Sequence, residues 1–84
     1  MANIKAKIIN ALLEKFSSEE IRLEDVDSDK VLGFIVSDKF ISLDEEARQD
    51  MIWEHLRKYL NSQERTHIIA LIALTQEEEM AYSD

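Results

Sequence analysis

Apolar residues in the first part of the chain return at helical spacing. Ile4, Ile8, Leu12 and Phe16 fall on one line, widened by Ile9 and Leu13, while Lys5, Lys7 and Lys15 lie away from it. This predicts an amphipathic helix over 4–16, capped by Asn3 and packed by its stripe on a sheet or another helix. Ser17-Ser18-Glu19-Glu20 then forms a polar link. At Ile21-Arg22-Leu23-Glu24 the period shortens to two, the pattern of a strand with one wet face. Asp27-Ser28-Asp29-Lys30 is rich in turn formers. Val31 to Val36 follows, apolar on both faces, and should pair with the first strand as an antiparallel hairpin. Gly33 within it marks a bulge or a close backbone approach.

The second half repeats the alternation. Ser37-Asp38-Lys39 is a polar turn, Phe40 follows, and Ser42 and Glu45 stand at the spacing of a capping box. They predict a helix over about 43–60, with a stripe of Ala47, Met51, Ile52, Leu56 and Tyr59. Trp53 and Tyr59 should complete a helix–sheet interface. Asn61-Ser62-Gln63 is the exit. Thr66 to Leu74 is ambiguous by periodicity, but its length, isoleucine content and polar boundaries favour a third, internal strand. Thr75 and Glu78 form a second capping box, opening a short helix over 76–82. The order helix, strand, strand, helix, strand, helix is an α+β fold with helices on one face of a three-stranded sheet.

Composition narrows the function. Eighty-four residues make a single domain over 1–84. There is no cysteine, hence no disulfide, thiolate site or cysteine nucleophile. No basic-then-apolar leader precedes the first helix, and the longest apolar run, Ile68 to Leu74, is too short to cross a bilayer. A soluble, cytoplasmic domain is expected. The net charge of −8 repels phosphate backbones and disfavours nucleic acid. Asp44-Glu45-Glu46 and Glu77-Glu78-Glu79 fall in first helical turns, where carboxylates meet the positive end of the macrodipole. No Ser-His-Asp order, phosphate loop or HExxH is present, so the chain reads as a non-enzyme.

The stretch Phe34 to Leu56 resembles the central signature of the BolA family, whose fold is related to the type II KH arrangement. Val36-Ser37-Asp38-Lys39-Phe40 matches the family's Val-Ser-x-x-Phe, and Ile52, Trp53 and Leu56 match its helix at the same spacing. Further on, His67 opens the last strand and Thr75 precedes an acidic helix, also at family spacing. Two positions depart: the family's glycine is Ser42, and its Arg-His pair is Arg48-Gln49.

The resemblance implies an adaptor that binds a monothiol glutaredoxin and shares an iron–sulfur cluster with it, in iron or redox regulation. It makes His67 the candidate cluster ligand, and Ser37, Phe40, Arg48 and Gln49 the candidate partner contacts. The chain should hold no cofactor by itself. Cluster-binding relatives usually offer a second histidine or cysteine between the first two strands, and residues 25–30 supply neither. His55 lacks the spacing of a metal ligand. A diverged interaction module without a cluster is the alternative. A KH-like transcriptional regulator ranks behind it, with Arg57, Lys58 and Arg65 as its basic patch.

Overall fold

The computed structural model describes residues 4–82, so the expected Asn3 cap lies outside the described residues. Helix α1 (Ile4–Leu12) leads through a turn and a 3-10 segment (Ser18–Glu20) to strands β1 (Ile21–Asp27) and β2 (Lys30–Val36). A second 3-10 segment (Asp38–Phe40) precedes α2 (Glu45–Leu56), and a short α3 (Ser62–Arg65) precedes β3 (Ile68–Leu74) and α4 (Gln76–Tyr82). The fold is α+β, as the alternating periods require.

β1 and β2 form the expected antiparallel hairpin, Leu23 opposite Gly33, with a register shift between Asp25 and Asp27. β3 pairs parallel to β2, Gly33 opposite Leu71 and Val36 opposite Leu74. The sheet order is β1-β2-β3, so β3 is an edge strand and not the internal one expected. Its uniform apolarity suggested a central place, but the middle position belongs to β2. Gly33 is the close approach. A Cβ there would lie 2.4 Å from Leu71 Cδ2 and 2.9 Å from Leu23 Cδ2, so the two flanking leucines close over a position with no side chain.

α1 and α2 cover one face of the sheet. Ile8, Leu12, Phe16, Phe40, Ile52, Leu56 and Leu60 meet Ile35, Leu71 and Ala73 in the core. Each fully buried large side chain contributes about 1.5–3 kcal/mol. α1 is shorter than its stripe, because the chain turns after Leu12. Phe16 nevertheless reaches the core, its amide donating to Leu12 O at 2.8 Å.

α2 also differs from its expectation. Ser42 does not cap it. Asp44 does, accepting from Ala47 N–H at 2.8 Å, while Ser42 sits outside the helix with φ 69°. Asp44 holds the extended backbone of an N-cap, φ −78° and ψ 175°, which the left-handed Ser42 cannot. The helix ends at Leu56, and the buried line through it is Arg48, Ile52, Leu56 and, in the following turn, Leu60. Tyr59 lies outside that line, 44% exposed, with its ring 5.2 Å from His55. The expected exit instead builds α3, whose N-cap Asn61 exchanges bonds with Glu64 at 2.8 and 2.9 Å. The Thr75–Glu78 box forms as expected, with bonds of 2.8 and 3.2 Å.

Candidate functional site

The candidate residues divide between the two ends of the sheet. β2 and β3 run parallel over seven residues each. At about 3.3 Å per residue, their ends stand about 20 Å apart. His67 lies at the start of β3, beside the β1–β2 turn. Ser37, Phe40 and Arg48 lie at the other end, and Gln49 reaches a point between them.

At the first end, His67 Nδ1 is 2.7 Å from the carbonyl of Asp29. A carbonyl only accepts, so Nδ1 carries the proton and the neutral ring keeps its lone pair on Nε2. The strand itself continues the contact: Val31 N–H donates to His67 O at 2.8 Å, and Lys30 Nζ donates to Thr66 O at 3.1 Å. The hairpin turn therefore holds the imidazole by its backbone. Glu64 of α3 lies close by and takes an ion pair from Lys7 of α1. That hydrogen bond from Lys7, then the Asn61 amide, hold the Glu64 carboxyl below its ordinary value, against a small opposing effect of burial. The sequence pattern singled out His67 but not Asp29, whose part is played by a main-chain oxygen and leaves no signature in residue type.

The other end is built from buried polar groups. Ser37 is 1% exposed; its amide donates to Leu74 O and its hydroxyl accepts from Lys39 N–H. Burial pushes the Glu20 carboxyl up, but bonds from the Ser17 amide and the Ser37 hydroxyl, with Lys39 nearby, leave it below its ordinary value. Phe40 is fully buried, 5.6 Å from the Phe16 ring. Arg48 lies over Phe40, its carbon centre 5.8 Å from the ring centroid. Its Nε donates to Leu43 O at 2.9 Å, and Nη1 to Ala73 O at 3.2 Å. Nη1 and Nη2 grip Glu78 of α4 at 2.7 and 3.3 Å. This guanidinium lowers the Glu78 carboxyl to about 2, assisted by the Thr75 amide.

Gln49 is likewise engaged. Nε2 donates to Leu71 O at 2.7 Å and to Glu45, while Oε1 accepts from Trp53 Nε1 at 3.0 Å. Leu71 O and Ala73 O both lie on the side of β3 turned away from β2, so Arg48 and Gln49 together seal the edge strand. These side chains hold the fold at this end, and Ser37 and Phe40 offer no surface to a partner. The basic residues differ again. Arg57 and Lys58 are exposed in the turn after α2, while Arg65 uses Nη1 on Leu60 O at 2.9 Å. His55 donates Nε2–H to Ala11 O at 2.7 Å, tying α2 to α1.

Among the described residues, no group of three or more His, Cys, Asp or Glu side chains could hold a metal ion, and no helix is long and apolar enough to cross a membrane. No family model and no curated protein sequence matches the chain. Among solved structures, the chain is similar to BolA1 from Arabidopsis thaliana. That match has a TM-score of 0.63 and 21% identity, and covers 89% of this chain and 92% of the other. The fold is BolA-like.

Proposed function

We propose that this BolA-like chain is a non-catalytic adaptor that binds a monothiol glutaredoxin through the end of the sheet formed by His67 and the β1–β2 turn. The reading rests on one observation above the others. His67 donates Nδ1–H to Asp29 O, which orients the ring and leaves Nε2 with the lone pair. A backbone acceptor on one ring nitrogen is the usual support for a histidine that ligates through the other.

The chain alone does not fit a cluster, because its His67 end offers one imidazole and the sequence has no cysteine. As a single ligand it does fit, provided the glutaredoxin supplies the sulfur ligands. When bound, the cluster would supply redox chemistry tuned by imidazole ligation. The work of this chain is to orient the His67 ring and to present the turn around it. Iron-dependent or transcriptional regulation would then follow from the partner.

One observation favours a second reading, a diverged module that binds its partner without a cluster: the turn beside His67, Asp27-Ser28-Asp29-Lys30, offers no histidine or cysteine. A nucleic-acid role is weaker, since Arg65 is turned inward and the chain carries −8. Calorimetry with a monothiol glutaredoxin, apo and cluster-loaded, separates the first two readings. Tighter binding of the loaded form, lost in His67→Ala, supports the shared cluster. Equal binding of both forms supports the diverged module, and no binding removes the glutaredoxin partnership.

A further inference from the structure

β1 alternates as a strand with one wet face should: Ile21 and Leu23 point inward, Arg22 and Glu24 outward. β2 and β3 do not. Their outward positions, Phe34 and Val36 on β2 and Ile72 and Leu74 on β3, are as apolar as their inward ones. α1 and α2 cover only the inward face. The outward residues line a shallow depression of about 350 Å³, with Arg22 and Glu24 along the β1 side and Glu79 of α4 at its end. Ile72 is 37% exposed, Phe34 and Leu74 are half-buried, and Val36, at 9%, is buried at the end of the depression. A strand face in contact with water is ordinarily polar, so two adjacent strands of apolar outward residues need a cover.

Dimensions and charge say what that cover is. Two neighbouring strands make a strip about 10 Å wide, and seven residues make it about 20 Å long. That is the footprint of an α-helix of about four turns, whose diameter is about 10 Å. Along the walls, Arg22 is paired with Glu79 at 3.3 Å, and Glu24 adds a negative charge beside them. The whole chain adds a field of −8. Strand addition is not the mode, because Arg48 and Gln49 occupy the carbonyls on the outer edge of β3. A second copy would bring like-charged walls together. We infer that the open face of the sheet, over Phe34, Val36, Ile72 and Leu74, is a docking surface for an amphipathic helix of a partner protein. The apolar stripe of that helix would be flanked by lysine or arginine. This surface is distinct from the His67 end and does not depend on the glutaredoxin reading.

The test is an NMR titration of the labelled chain with a synthetic helical peptide of about four turns, leucine on one face and lysine along both flanks. A peptide with glutamate in place of lysine and a scrambled peptide serve as controls. Amide shifts should concentrate at Arg22, Glu24, residues 32–36 and residues 70–74, with only the lysine-flanked helix binding well. Ile72→Asp should weaken binding at least about tenfold, since it removes most of one apolar contact and adds a buried charge. Glu24→Lys, exposed and outside the core, should weaken it about threefold or more and flatten its salt dependence. Sedimentation of the chain alone should give a monomer. The inference is overturned if the glutamate or scrambled peptide binds as well, or if the shifts fall on α1 and α2. It is equally overturned if sedimentation shows a dimer that Ile72→Asp dissociates, for then a second copy covers the face.

Discussion

Ser42 occupies a left-handed backbone conformation, φ 69°, between Phe40 and the Asp44 cap of α2. A side chain in that region costs about 1–2 kcal/mol, because Cβ crowds the following carbonyl. Glycine removes that cost but gives up about 0.5–1 kcal/mol in added freedom of the unfolded chain. The Ser42 hydroxyl also donates to the carbonyl of Ile41, but the residue is exposed and water replaces that bond. Ser42→Gly should therefore stabilise the fold by about 0.5–1 kcal/mol. For a domain of this size, that raises the melting temperature by about 2–8 °C. Ser42→Ala keeps the crowding, and water replaces its lost hydroxyl bond, so it should melt with the parent and below Ser42→Gly. The assay is thermal melting of all three by circular dichroism at neutral pH. An alanine variant as stable as the glycine one would refute the reasoning, because only the left-handed conformation sets them apart.

Three further outcomes follow from the buried polar end and the core. Arg48 lowers the Glu78 carboxyl from an ordinary 4.5 to about 2, so its stabilisation is complete above pH 4.5 and is lost as pH falls towards 2. The melting temperatures of the parent and Glu78→Gln should differ at neutral pH and converge across that window, whereas parallel curves would contradict the pairing. Gly33→Ala should destabilise by about 1–2 kcal/mol in urea unfolding, since its Cβ meets Leu71 and Leu23 in a closed core. Unchanged stability would mean that those leucines move aside. Arg48→Met keeps the bulk over Phe40 but leaves Leu43 O and Ala73 O without their donor, and should cost about 2–3 kcal/mol in the same assay.

Much of the architecture is legible in periodicity, because period two and period 3.6 are set by the same geometry that buries Ile8, Leu12, Ile35 and Ile52. The hairpin and the Thr75–Glu78 cap are local, and local patterns carry them. The place of β3 in the sheet is not local. IIALIAL reads as an interior strand, yet one face of it is open and its edge is sealed by Arg48 and Gln49, residues about twenty positions away. The cap of α2 is ambiguous in sequence because Ser42 and Asp44 are both good capping residues, and only the backbone angle decides between them. Of the site, His67 is visible as a lone histidine at a strand start. The carbonyl that orients it is not. Arg48 enters the sequence reading only through the family resemblance, and its internal partners Ala73 O and Glu78 are distant in sequence.

The reading of His67 is tested most directly by an NMR titration of the labelled chain with a monothiol glutaredoxin, first apo and then cluster-loaded, repeated with His67→Ala. The expected result is a set of shifts centred on His67 and residues 27–30, larger with the loaded partner and lost in the variant, whose own spectrum remains that of a folded chain. Absence of shifts, or shifts in the variant equal to those in the parent, would contradict it.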